Sequence, residues 1–408
     1  MKINFISLTS PIHDEEHINF TLSRFMDRLD NSFELNYIKA ENINKKDISN
    51  QLTVIHVKTG GTEHIFKKIY KSLVQPVYLL STELHNSLAS SLEILSWLKA
   101  KGGNGRIIHG DVDEIISEIK ELYLIDSAKK KIENSRLGVI GKPSDWLIAS
   151  DINIEEVKKN WGTSIVDIDI KEFFDFYDDS SKKEAEVISN DFFNLAIDMK
   201  EASNEDLIKA ARVYLVLKKL ISKYNLNSFT IRCFDLVEKL NTTACLALSL
   251  LNNEGVIAAC EGDIPAAFTM MFIYYLSGKL SFMANPVTIN KNNNIIVFAH
   301  CTVPTKLSRD YIIRSHFETG IGVGVQGKLE QGPVTVFKIG GENLEKRVVM
   351  TGELLKNLNS KNACRTQIQI RLNAGIDYFL KNPIANHHII IPGNYANIIN
   401  KYFDIIYT

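Results

Sequence analysis

The sequence predicts an α/β protein: two consecutive Rossmann-like parallel α/β units followed by a C-terminal antiparallel β-rich, barrel-like domain. Three observations predict it. Short apolar runs alternate with helical repeats as far as about residue 280, the pattern of parallel sheets covered by helices. After Leu280 the helical spacing gives way to short strands separated by Gly, Asn and Pro. A chain of 408 residues also exceeds what one typical core organises. The expected domains are 1–135, 136–280 and 281–408.

In the first domain, Ile3–Leu8, Phe33–Ile38, Thr53–Val57, Val77–Leu80 and Arg106–His109 read as strands. Helical spacing fills His17–Leu29, Glu63–Leu73, Ser87–Ala100 and Asp111–Glu133. The turn Lys58-Thr59-Gly60-Gly61-Thr62-Glu63 has the glycines of a phosphate cradle. Its spacing is neither GxGxxG nor GxxxxGK[ST], so nucleotide binding is not expected. A tight βα turn is the commoner use of such glycines, with a sugar contact at Gly60 as the functional alternative. Asn86-Ser87 after Thr82-Glu83 is a similar strand-end polar cluster, and equally well a helix cap.

The second domain opens with the strand Leu137–Gly141 and a Gly-Lys-Pro-Ser turn. Ile154–Trp161 is helical, Ser164–Ile168 a strand, and Lys183–Ile197 and Asn204–Tyr224 two helices. The acidic run Asp175–Lys183 reads as a mobile surface loop. Phe229–Phe234 and Val256–Cys260 are strands, and sequential parallel strands are usually neighbours. Asp235, Glu238, Glu261 and Asp263 are thereby expected at one sheet edge, where they repel unless a cation, Lys239 or Arg232 neutralises them. Asp263 precedes Ile264-Pro265 and a helix from Ala266 to about Leu276, so an N-cap is its plainer reading. The carboxyl end of a parallel strand is nevertheless where α/β proteins bind ligands.

The third domain is read as strands at Val287–Asn290, Ile295–His300, Gly320–Val325, Val334–Ile339, Lys346–Thr351 and Thr366–Leu372. Gly320-Ile321-Gly322-Val323-Gly324 superficially matches a dinucleotide loop, but no helix follows it. The hairpin around Asn290–Asn294 delivers His300 to a strand end. His387 and His388 open the strand Ile389–Ile391; being consecutive, they face opposite sides, and at most one joins a given site. His300 and His316 are candidates for substrate contact or for none.

Three motifs in this order carry a resemblance: Cys260-Glu261-Gly262-Asp263, Ala299-His300-Cys301-Thr302-Val303-Pro304 and Ala385-Asn386-His387. Together they resemble the L-fucose/L-arabinose isomerase family, in its shorter fucose isomerase-like branch. The likeness runs from about Leu137 to the end, and covers the first third only in pattern. It implies an aldose–ketose isomerase working through an enediol on a free monosaccharide, with Mn²⁺ held by two acids and one histidine. Carried onto this chain, the metal ligands are Asp263, His387 and a third acid. Glu238 is the nearest candidate for that third ligand, Asp235 the next, with Glu261 as a substitute. The catalytic set is Asp263, Glu238 and Glu261. Substrate contacts are expected from His300, Asn386, Arg232, Gly60 and Asn86. The family also implies a homo-oligomer, a trimer or hexamer, with sites completed by a neighbour's N-terminal domain. A non-catalytic sugar-binding regulator and a metal-dependent sugar aldolase are the alternatives.

The residue chemistry is compatible with this. Mixed carboxylate–imidazole coordination with open positions suits Mn²⁺ or Mg²⁺ better than structural zinc, although Cys260 and Cys301 nearby keep another divalent metal open. A formal charge of −1 supplies no footprint for nucleic acid or an anionic membrane. No apolar run approaches the ~20 residues of a membrane helix, and Met1–Leu8 is too short for a signal sequence. Five cysteines without a CxxC pair fit reduced thiols, so a cytoplasmic protein is expected.

Overall fold

The computed structural model describes residues 1–407, Asp47 by its backbone alone. It divides into two compact units: Met1–Lys130 with the segment from Asn400, and Lys131–Ile399.

The first unit is built on β1 (Lys2–Leu8), β2 (Glu34–Ile38), β3 (Thr53–Val57), β4 (Val77–Leu80) and β5 (Gly105–Ile108). All are parallel, in the order β2-β1-β3-β4-β5. Ile6, Leu8, Ile55, Val57 and Leu79 pack with Phe66, Ile94 and Leu98 from the covering helices. Helices on the faces explain why β3 and β4 are near-continuous apolar runs rather than alternating ones. At the strand ends, Gly60 N–H donates to the His85 carbonyl at 2.8 Å. A Cβ on Gly60 would stand 3.1 Å from the Asn86 Cβ, so glycine permits the two turns to close on each other.

The second unit begins with β6 (Arg136–Ile140), β7 (Ser164–Ile168), β8 (Asp198–Met199), β9 (Ser228–Ile231) and β10 (Ile257–Ala259). Four of them form a parallel sheet in the order β10-β9-β6-β7. The strands β11 (Phe282–Asn290), β12 (Ile295–His300), β13 (Ser308–Arg314), β14 (Gly324–Leu329), β15 (Gly332–Gly340), β16 (Lys346–Leu358), β17 (Thr366–Leu372) and β18 (His388–Pro392) follow. Six close an antiparallel barrel, β11-β12-β17-β16-β15-β18. Parallel α/β sheets followed by a closed antiparallel barrel is the expected fold class.

The helix Ile264–Ser277 joins sheet to barrel. Phe268 meets Trp161 edge to face at 4.8 Å, and Phe272 lies 5.5 Å from Phe337 of β15. Thr269 Oγ1 accepts from Ile339 N–H at 3.0 Å. A helix apolar on all sides is one buried on all sides, and here every residue from Ile264 to Ile273 is buried.

Two expectations are corrected. The acidic run from Asp175 is not a loop: Ile170–Asp178 and Lys182–Leu195 are helices, leaving only Asp179–Ser181 between them. Phe173 and Tyr177, four apart, bury one face of the first, so packing overrides the charge. The strand expected at Gly320 starts only at Gly324, because Gly320 and Gly322 turn with positive φ. β8 and β13, unforeseen, join β14 in a small sheet of their own.

Candidate metal and active site

The site forms where the second parallel sheet meets the barrel. Adjacent strands β9 and β10 end side by side, and the chain past β10 turns sharply: Glu261 has φ +63° and Gly262 φ +73°. A left-handed glutamate is uncommon and must be held by its surroundings. Gly262 N–H donates to the Ile231 carbonyl and Ser144 N–H to the Glu261 carbonyl, both at 3.0 Å. A Cβ on Gly262 would come within 2.4 Å of the Lys142 carbonyl, so only glycine fits beneath the loop after β6.

Asp263 then caps the buried helix, Oδ1 accepting from Ala266 N–H at 2.8 Å. This cap is worth about 1 kcal/mol. Oδ2 faces His387 Nδ1 at 2.8 Å, and the Lys338 ammonium lies 3.7 Å from Oδ1. All three side chains are fully buried. Burial opposes ionisation of Asp263, but Lys338 and His387 outweigh it and hold its pKa at about 2. Burial likewise disfavours a charged His387, yet Asp263 and Glu261 push it up to about 9.

With Nδ1 tied to Asp263, His387 presents Nε2 to Glu261 Oε1 at 3.4 Å, and this nitrogen has no hydrogen-bond partner. His300 is arranged in the same way. Its Nδ1 meets Thr302 Oγ1 at 2.9 Å, and its Nε2 stands 3.7 Å from Glu261 Oε1. Glu261 Oε2 accepts from Trp146 Nε1–H at 2.7 Å. Burial raises the Glu261 pKa, but the two imidazoles hold its carboxyl well below the usual range. One ligand atom from each of Glu261, His300 and His387 lies within 4.8 Å of the others. An orphaned buried nitrogen, a second pinned imidazole and a carboxylate oxygen, all converging, fit a divalent ion with positions left open.

The sequence-predicted residues are placed as follows. Asp263 and His387 are brought together, in direct hydrogen-bond contact. Glu261 and His300 join them. Asp263 lies behind His387 rather than within the triad, with both oxygens engaged. Glu238 is exposed on the helix Phe234–Leu240 and, like Asp235, lies outside the triad. Arg232 is consumed by protein acceptors: Nε by Asp235 at 3.0 Å, Nη2 by Asp145 at 2.7 Å and Nη1 by the Pro143 carbonyl at 2.6 Å. Asn386 is exposed, and its carbonyl faces His388 Nδ1 at 2.9 Å. His388 points elsewhere, with Nε2 3.1 Å from Tyr378 Oη and its ring against Phe379. Burial pushes its pKa down to about 3. Gly60 and Asn86 adjoin each other in the first unit.

Sequence reasoning missed Trp146 and Lys338. A single lysine inside the apolar run Val334–Ile339 was the available signal for the second.

No family model matches the chain. Among curated proteins, it is similar to the sulfoquinovose isomerase of Alkalicoccus urumqiensis, 25% identical over 267 residues, covering 62% of this chain and 59% of that protein. It is also similar to the sulfoquinovose isomerase of Priestia aryabhattai, 23% identical over 327 residues, with 72% and 71% covered. That of Clostridium sp. (strain MSTE9) is 26% identical over 188 residues, with 42% and 40% covered. The chain thus spans about three-fifths of the length of the first of these relatives.

Proposed function

We propose that this chain is a divalent-metal-dependent aldose–ketose isomerase of the L-fucose isomerase-like kind, and that sulfoquinovose is the first substrate to test. The relatives' shared name supports the substrate. The observation that carries the metal-dependent part is the convergence of His300 and His387, each pinned at Nδ1, on one oxygen of Glu261.

Glu261, His300 and His387 would hold the ion. A set of two nitrogens and one oxygen favours Mn²⁺, or another transition metal, over Mg²⁺, which prefers oxygen alone. Bound there, the ion would polarise a substrate carbonyl as a Lewis acid. The protein supplies the rest. Asp263, held anionic by Lys338, keeps the His387 proton on Nδ1 and so keeps Nε2 available. Thr302 does the corresponding work for His300. Aldose–ketose interconversion moves one proton between neighbouring carbons, which needs a group within hydrogen-bond reach of both. Asp263 is sealed behind His387 and Glu238 lies outside the triad. Glu261, with Oε1 on the two imidazoles and Oε2 accepting from Trp146, would serve as a ligand to the ion and not as the group that takes that proton.

The family resemblance supports a cytoplasmic trimer or hexamer, which light scattering on the purified protein would test. Among the described residues no helix is long and apolar enough to cross a membrane. The deciding experiment incubates the Mn²⁺-loaded protein with sulfoquinovose, and separately with L-fucose, in D₂O. Ketose with deuterium at the carbon next to the carbonyl supports the isomerase. Binding without exchange identifies a regulatory sugar-binding homologue, and a shorter aldehyde identifies an aldolase. The absence of both binding and exchange refutes the proposal.

A further inference from the structure

The loop after β6 carries a side chain for which the isomerase chemistry above has no task. Arg232 grips that loop at the Pro143 carbonyl and takes both carboxylate oxygens of Asp145, at 3.1 and 2.7 Å. Ser144 N–H ties the loop to the Glu261 backbone. Trp146, which follows, is therefore delivered from a fixed stem. Its indole packs edge to face on Phe234, 4.9 Å between centroids and at 83°. The N–H donates to Glu261 Oε2, and half of the residue, 51%, stays open to solvent.

We propose that Trp146 is a two-sided positioning residue of the sugar site: its N–H locks the rotation of Glu261, and its open face is the platform for the C–H face of the substrate. The platform half rests on the isomerase reading. A carboxylate with both oxygens free can swing either one towards the imidazoles. Tying Oε2 at 2.7 Å leaves Oε1 as the oxygen that meets both Nε2 atoms, at 3.4 and 3.7 Å. Hydrogen bonds to charged groups are the strong ones, and partners of metal-ligating carboxylates govern affinity as much as orientation. The exposed indole is large, rigid and apolar, and has few rotors to freeze when a sugar lies on it. An indole that merely packed on Phe234 would need neither the N–H partner nor the three-point grip of Arg232 on its stem. Arg232 thereby acts on substrate through the loop and not through its own charge.

The test uses the full chain with Mn²⁺, comparing Trp146→Phe and Trp146→Ala with wild type. Trp146→Phe keeps a platform and loses the N–H. Its Mn²⁺ affinity by calorimetry should fall roughly 10–100-fold. At saturating Mn²⁺ its KM should stay within about threefold of wild type, since most of the apolar contact area survives. Trp146→Ala should show the same Mn²⁺ loss and, in addition, a KM about tenfold higher, from the apolar contact removed. Should Trp146→Ala not fold, acrylamide quenching supplies the second measurement. The Trp146 signal, taken as wild type minus Trp146→Phe, should be shielded by added sulfoquinovose. Unchanged Mn²⁺ affinity in Trp146→Phe overturns the lock. Equal KM values in the two variants, or an unshielded Trp146 signal, overturn the platform. A wild type without turnover refutes the isomerase reading instead, and the Mn²⁺ measurement still decides the lock.

Discussion

Replacing Asp263 by asparagine removes one charge and no volume, at a position where every neighbour is known. Asparagine can still cap the helix, because its carbonyl oxygen accepts from Ala266 N–H. Turned that way, its NH₂ faces His387 Nδ1, which must then accept. The ring, then neutral, carries its one proton on Nε2, the nitrogen the triad needs free. Lys338, 3.7 Å away and fully buried, loses its counter-charge. Two estimates of the stability loss agree within a factor of two. Lowering the carboxyl from 3.8 to about 2 makes the ionised form worth about 2–3 kcal/mol at pH 7, at ~1.36 kcal/mol per unit. Stranding one partner of a buried pair costs about 3–5 kcal/mol. For an acid with a depressed pKa this contribution is complete above the unfolded value of 3.8, and is lost as the pH falls through about 2. Urea unfolding of the metal-free protein at pH 7 should therefore show Asp263→Asn less stable than wild type by about 2–5 kcal/mol, and the carboxylate's share of that gap should be lost as the pH falls below about 4. Calorimetry should show Mn²⁺ affinity down roughly 10–100-fold, and ¹⁵N NMR of the metal-free proteins at pH 7 should report an imidazolium at His387 in wild type and a neutral ring protonated at Nε2 in Asp263→Asn. A loss under ~1 kcal/mol together with wild-type Mn²⁺ affinity would refute the orienting role.

Three further outcomes are expected. Because His387 keeps its proton up to about pH 9, binding of a metal displaces it. Mn²⁺ affinity should therefore rise about tenfold per pH unit from pH 6 towards 9; calorimetry in buffers of different ionisation heat would expose a proton-free process. Glu238→Gln should bind Mn²⁺ within about twofold of wild type, as an exposed residue outside the triad should, and a tenfold loss would restore it as a ligand. His56 is buried between Phe5 and Phe25 with neither ring nitrogen partnered, and burial holds its pKa at about 3. The unfolded chain binds that proton more readily between pH 6.5 and 3, so stability should fall with pH across that window by at most ~1.4 kcal/mol per unit. His56→Leu should flatten the slope of the urea midpoint, and an unchanged slope rules His56 out.

The fold was legible because its determinants are local. Strand and helix alternation, the switch to hairpins after Leu280 and the Asp-x-Pro start of the buried helix each lie within a few residues. Much of the site was legible as motif: Glu261, Asp263, His300 and His387 all lie in the three quoted stretches. Their division of labour was not. Whether Asp263 touches an ion or orients the residue that does depends on a contact across 124 positions and on a left-handed turn at Glu261 that no alternation rule supplies. An extended Glu-x-Asp would aim both acids one way. The turn instead sends them to opposite nitrogens of one ring. Arg232 was legible only in part: its pairing with Asp235, 3.0 Å away, agrees with a neutralising role, but a lone arginine at a strand end says nothing of the Asp145 that engages it from another loop.

β18 closes the barrel against β11 and β15, and His387 sits at its threshold, one residue before the pairing of His388 with Ala284. Sliding that strand by a single position would turn His387 outward and offer His388 to Asp263 in its place. Barrel closure is thus the alignment gauge of the chemistry. An insertion between β17 and β18 that disturbs this one pairing would draw His387 away from Asp263 and Glu261 while leaving all three side chains in the sequence.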